Sequence, residues 1–289
     1  MPKIGGYDFT IGADPEVFLI NEVTNTPVSA HNLIPGSKKA PHKVKYGAVQ
    51  PDGLAAEFNI DPAKNYKEFS RNISEVMKSL EKLTPGYDFK AVPVMEFGAK
   101  YINSLPKEAR ILGCDPDFNA YTGRANPLPD ANADFRTGAG HIHVGWSDPN
   151  NPGPRDPFDP THFEACCWLT QAMDTWLGIP SIIWDEDQKR RSLYGKAGAF
   201  RPKPYGMEYR TLSNAWLNRP STIMLVYENT VKAIESMFND PNFRNKTFNG
   251  KRAEDIINKG DEETAIHVLS YEGIHPARYY REILEKEAA

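Results

Sequence analysis

The sequence predicts an α+β fold, a mainly antiparallel sheet backed by helices. Three observations lead there. Short segments alternate apolar and polar residues at the period of a strand, as in Gly140-His141-Ile142-His143-Val144-Gly145-Trp146. Helical segments lie irregularly among them, without the regular strand–helix alternation of a parallel sheet. The chain also holds 24 prolines, which favours short strands and many loops.

In chain order, residues 8–20 read as a strand and residues 44–60 as two more, ending in Ala55-Ala56-Glu57-Phe58-Asn59-Ile60. A helix follows over about residues 63–83. Tyr66, Phe69, Ile73, Val76, Met77, Leu80 and Leu83 form its apolar stripe, and Thr84-Pro85-Gly86 stops it. Residues 89–97 and 111–122 read as strand and loop, and the histidine strand comes next. Ser147 to Pro160, rich in proline and aspartate, reads as a rigid surface loop rather than a lid. A buried helix is expected over about 161–178, a strand over 206–213, and a long helix from Pro220 to about 238. The C-terminal segment, about 251–288, reads as short polar helices. No solenoid repeat and no domain boundary is visible, so one domain spanning 1–289 is expected.

Composition excludes several function classes. A net charge of −4 argues against a broadly nucleic-acid-binding surface. No apolar run approaches the roughly 20 residues that span a bilayer, and the first residues lack the apolar centre of a signal peptide. The cysteines Cys114, Cys166 and Cys167 are odd in number and two are adjacent, which suits reduced thiols in a cytoplasm.

Residues two apart on a strand share a face, roughly 6.6–7 Å apart. That rule places Asp14 with Glu16, Glu57 with Asn59, His141 with His143, and Glu208 with Arg210, each pair opposite an apolar face. If the four strands share one sheet, their apolar sides pack on helices and their polar sides line one cleft. Crowded carboxylates require neutralising cations. Carboxylates with imidazole suit Mg²⁺ or Mn²⁺, with Asp14, Glu16, Glu57, Glu208 and the His141–His143 pair as the candidate ligands. Pro15 cannot donate to a ladder, so its strand should start there, bulge or lie at an edge, and Asp14 ranks below Glu16.

The segment from Asp187 to Arg210 is rich in basic residues, including Arg191, Lys196, Arg201 and Arg210, and Arg136 precedes the histidine strand. Guanidiniums beside metals clamp phosphate oxygens, so the cleft reads as a polyphosphate site, most simply for ATP. Neither G-x-x-x-x-G-K-[ST] nor a strand-linked G-x-G-x-x-G is present.

Several of these stretches resemble a known family. "GAGHIHVG" is similar to the histidine strand of glutamine synthetases, and "MEYRTLSNAWL" to their E-x-R strand. "DPEVF" and "AAEFNI" resemble the acidic strands of glutamate–cysteine ligases. The ordered set, from about residue 11 to 217, resembles the phage-encoded carboxylate–amine ligases (amidoligases, COOH-NH2 ligase type 2) of that superfamily.

The resemblance implies a curved antiparallel sheet of glutamine synthetase type with helices on its convex face, forming one catalytic domain. It implies ATP and two or three Mg²⁺ or Mn²⁺ ions as cofactors. Glu16, Glu57, His141 and Glu208, with Asp14, match metal ligands, and His143 matches the histidine nearer the nucleotide phosphates. Arg210 matches the phosphate-contacting arginine; Arg191 and Arg201 fit phosphate or acyl-phosphate contacts, with Arg136 and Lys196 on the nucleotide side. The implied activity is ATP-dependent amide formation through an acyl phosphate, in a host cytoplasm if phage-encoded. Its partners are small-molecule or peptide carboxylates and amines, with no membrane and no nucleic acid; oligomeric state stays open. No segment matches the ammonium-binding flap, which favours an amine larger than ammonia. Asp52 and Asp115 are candidate bases by loop position. The rival readings are a metal-dependent amide or peptide hydrolase and a non-catalytic nucleotide-binding relative.

Overall fold

The computed structural model describes residues 3–110, 117–127, 134–148, 153–185, 187–240 and 242–271. Among them a twelve-stranded sheet forms the centre. The strands used below are β1 (Asp8–Asn21), β2 (Gly36–Ser37), β3 (Ala40–Val44), β4 (Gly47–Asp52), β5 (Ala55–Ile60), β6 (Phe118–Asn119), β7 (Arg124–Ala125), β8 (Gly140–Ser147), β9 (Ala199–Lys203) and β10 (Gly206–Tyr209). Their order is β7-β6-β9-β10-β8-β1-β5-β4-β3-β2, and every pairing among them is antiparallel.

The four strands singled out by alternation are consecutive in this order: β10, β8, β1, β5. Register aligns their faces. Ala13 lies opposite Ile142, which lies opposite Tyr209; Ile11 opposes Val144, which opposes Met207. These rows are fully or almost fully buried and belong to the main core. The other face carries Asp14 opposite His141, His143 opposite Glu208, and Glu16 opposite Glu57.

Helices cover the apolar face. In α1 (Tyr66–Leu83), Phe69, Ile73, Val76 and Leu80 are buried, as their spacing requires. Its start is set by Asn65, whose side chain accepts from the Glu68 amide while Glu68 reaches back to the Lys64 amide, which moves it later than the apolar pattern suggested. The helix α2 (Pro160–Met173) is capped by Asp159, with Pro160 in the first turn. It does not continue regularly to residue 178. Residues Asp174–Gly178 form a π turn, in which the Ile179 amide reaches the Asp174 carbonyl, and a short helix follows over Ile179–Trp184. Pro180 explains the change: it lacks the amide that would bond Trp176, and a widened turn accommodates its ring. The helices α3 (Gln188–Leu193) and α4 (Pro220–Asn239) complete the part that bears on the cleft.

Pro15 corrects a sequence expectation. The strand runs straight through it. The Glu16 amide bonds the Ala139 carbonyl, so the proline nitrogen faces the β5 side. There the β1–β5 ladder stops at Glu16, while β1–β8 pairing continues to Pro15. The missing donor therefore ends one ladder without interrupting the strand. The strand expected over 206–213 likewise ends at Tyr209, because the carbonyls of Arg210, Thr211 and Leu212 turn to the Arg190 guanidinium.

The C-terminal segment forms α5 (Ala253–Lys259) and α6 (Glu262–Tyr271), which are not simply polar, since Ile256, Ile257, Ala265, Val268 and Leu269 are buried in a second apolar cluster; residues 272–288 lie outside the described residues. No helix among the described residues is long and apolar enough to cross a membrane.

Candidate active site

Two clusters of potential cation ligands lie side by side on the polar face. The first joins Asp14, His141 and Glu208, and the second joins Glu16, Asp52 and Glu57; within each cluster the donor atoms lie within 4.8 Å of one another. Strand β1 supplies one residue to each.

In the first cluster, His141 Nδ1 lies 3.4 Å from Asp14 Oδ1 and 3.3 Å from Glu208 Oε1. Glu208 is fully buried, and its carboxylate draws in Arg210, Arg201 at 3.3 Å and Lys203 at 2.8 Å. Burial and the nearby Asp14 oppose its charge, but His141, His143 and Lys203 outweigh them and hold its pKa below the ordinary value. Asp14 is held well below the usual range in the same way: burial works against ionisation, and His143 and His141 overcome it. Burial, then the positive Arg210, pushes His141 down to about 4, which leaves a neutral imidazole with one nitrogen lone pair for a cation.

The sister histidine is held differently. His143 Nδ1 meets the Tyr205 hydroxyl at 2.5 Å, and its Nε2 lies 2.9 Å from Asp14 Oδ1. Burial disfavours its charge, yet Asp14 and Glu208 raise its pKa above the ordinary value. The same cleft therefore shifts the two imidazoles in opposite directions.

In the second cluster, Glu16 Oε2 accepts from the Ala139 amide at 2.9 Å, and Asp52 is paired with Lys38 at 2.8 Å. Burial first, then repulsion by Asp52, raises Glu16 to about 7. Glu57 rises well above its ordinary value through burial, then Asp14, Asp52 and Glu16. A divalent ion would relieve this crowding.

The donor chemistry fits hard divalent ions: carboxylate oxygens throughout, with one imidazole in the first cluster. Asp14 Oδ1 is buried between the two imidazoles, 2.9 Å from His143 Nε2 and 3.4 Å from His141 Nδ1.

Gly140 keeps the histidine strand close to its support. A Cβ there would lie 2.1 Å from the Ser213 carbonyl oxygen and 2.4 Å from Trp216 Nε1, which donates to the Gly140 carbonyl. Arg210 is oriented by Asp117 at 3.2 Å, and its guanidinium faces the Tyr194 ring at 5.3 Å. Beneath the sheet, the buried Asp174 carboxylate accepts from the Tyr209 hydroxyl (2.6 Å), the Tyr121 hydroxyl (2.9 Å), the Gly198 amide (2.6 Å) and Thr211 Oγ1 (3.3 Å). It thus ties down both neighbours of Arg210. Burial pushes Asp174 up to about 7 against these donors.

All five candidate metal ligands and His143, Arg201 and Arg210 come together. Arg191 goes elsewhere: it is buried against Asp185, 3.8 Å from its carboxylate and 3.2 Å from its carbonyl oxygen. Its neighbour Arg190 turns toward the strand instead, donating to Thr211 and Leu212 carbonyls at 2.8 Å. Arg136 lies in a separate two-stranded sheet and donates to the carbonyls of Phe135 and Arg110. The Lys196 side chain is exposed, and its carbonyl accepts from Thr211 Oγ1 at 3.1 Å. Asp115 lies outside the described residues. Asp52, expected as a loop base, is the last residue of β4 and joins the acidic cluster. Lys38, Tyr205 and Asp174 carried no motif signal: two lie in turns and one in a helix that reads as plain core.

None of the curated proteins matches the sequence. Among solved structures, a novel glutamine synthase homologue is similar at 12% identity, covering 98% of this chain and 68% of its own, with a TM-score of 0.41. Ligand-free GmaS is similar at 13% identity, covering 98% and 70%, also with a TM-score of 0.41. Residues 161–265, which include Arg201, Glu208 and Arg210 but not the β1, β5 and β8 residues, match the model of one family. That family is described as phage phiEco32-like COOH.NH2 ligase-type 2, and the matched residues make up about a third of the chain.

Proposed function

We propose that this cleft joins a carboxylate to an amine at the expense of ATP. The observation that carries the proposal is the adjacency of two cation-ligating clusters to a basic group, Arg201, Lys203 and Arg210, converging on Glu208. The family match supports a ligase; ATP dependence and the acyl-phosphate route are this proposal's own content.

A carboxylate is a poor acyl donor because oxide would have to leave. Attack of its oxygen on the γ-phosphorus of ATP releases ADP and gives an acyl phosphate; attack of the amine on the acyl carbon then releases phosphate. Mg²⁺ or Mn²⁺ held by Asp14, His141 and Glu208, and by Glu16, Asp52 and Glu57, would supply neutralisation of phosphate charge. The remaining work belongs to the chain. Arg201, Lys203 and Arg210 present cations to the transferring group, and rigid strands preorganise them. His143, held between the Tyr205 hydroxyl and Asp14, lines the nucleotide side of the cleft. Asp117 and Asp174 hold Arg210 in place. The acceptor must shed a proton before it attacks.

The test is ADP formation with Mg-ATP or Mn-ATP and a panel of carboxylates and amines. ADP should require both substrates, and Glu208→Gln should abolish turnover in a folded protein. ADP release independent of the amine, or amide cleavage without ATP, would point to hydrolysis instead.

A further inference from the structure

Glu57 faces a residue that no motif marks. Across the β4–β5 ladder its partner is Gln50, and Asp52 follows two residues later on the same face. Glu57 in turn opposes Glu16 on β1. A lateral row Gln50–Glu57–Glu16 therefore crosses three strands, flanked by Asp52. The opposite face of β4 carries Val49, which is part of the core, so Gln50 points away from the hydrophobic interior. Gln50 is nonetheless only 5% exposed, and its Oε1 is buried without a hydrogen-bond partner. A buried amide oxygen left unpaired is costly and calls for a counterpart.

From this geometry we infer that Gln50 Oε1 is a further oxygen ligand of the Glu16–Asp52–Glu57 cation site. Hard divalent ions take amide carbonyl oxygens as well as carboxylates. An amide oxygen would add a donor to the shell beside the three carboxylates without adding charge. The inference rests on reading the cleft as a divalent-metal site. It adds a residue whose uncharged side chain left no trace in the pattern of acidic positions.

The test titrates the full chain with Mn²⁺ and follows free Mn²⁺ by electron paramagnetic resonance. Gln50→Met, similar in volume but lacking the oxygen, should weaken one class of Mn²⁺ site by about tenfold or more and leave the other unchanged. Gln50→Glu keeps an oxygen there, adds charge and should tighten the same class. Near-ultraviolet circular dichroism checks folding, and Gln50→Glu remains decisive if the methionine variant is unstable. Wild-type affinities in either folded variant would overturn the assignment. If ADP formation still requires both substrates while Gln50→Met titrates as wild type, the Gln50 assignment alone falls. A wild-type chain that takes up no Mn²⁺ overturns both it and the metal reading.

Discussion

Asp14 and Glu16 stand two residues apart on one strand and serve different clusters: Asp14 meets His141 and Glu208, whereas Glu16 meets Asp52 and Glu57. One strand thus bridges both cation positions. Asp14→Asn should weaken one class of Mn²⁺ site and Glu16→Gln the other, each by about tenfold or more. Mn²⁺ titration of the two variants separates them; equal loss at both classes would mean a single merged site.

Lys38 competes with metal. Its ammonium lies 2.8 Å from Asp52, and although burial opposes its charge, Asp52, Glu57 and Glu16 raise its pKa. Lys38→Met should therefore increase divalent affinity at the Glu16 cluster several-fold, measurable by calorimetric titration. Unchanged or weaker affinity would show that the lysine does not oppose loading.

Tyr205 braces His143 through its hydroxyl. Tyr205→Phe removes that contact while keeping the ring. Losing such a hydrogen bond is worth ~1 kcal/mol, so the KM for ATP should rise about fivefold. The carboxylate KM should move little. Steady-state kinetics with each substrate varied in turn distinguishes this from general damage.

Asp174 predicts a pH-dependent stability difference. Its folded pKa, about 7, lies above the unfolded value near 3.8. Between these values the folded state holds a proton that the unfolded chain has released, so this contribution is fully present below about pH 4 and is lost as pH rises through 7. Asp174→Asn lacks that titration. Urea denaturation should show the substitution costing more stability at pH 5 than at pH 8. The same cost at both would contradict the buried, protonated Asp174.

How much of this was legible in the chain can be judged from particular residues. Alternation exposed the polar face of each strand, because period two is a local property; hence Asp14, Glu16, Glu57, His141, His143, Glu208 and Arg210 were recognisable. Adjacency and register are not local. They decide that β1 feeds two clusters, and that Asp52, at a strand end, belongs with Glu16. Choosing between Arg190 and Arg191 depends on the rotation of a short helix, about 100° per residue, which no spacing rule resolves. Pro15 misled for a related reason: a missing amide matters only on the side where a partner lies. Gln50 and Tyr205 carry no charge pattern, and their roles emerge from what they face.

Isotope transfer tests the central claim most directly. With the substrate carboxylate labelled with ¹⁸O and the amine and Mg-ATP present, the released phosphate should carry one labelled oxygen. That oxygen would have bridged carbon and phosphorus in the acyl phosphate. Amide formation accompanied by unlabelled phosphate would contradict the proposed route.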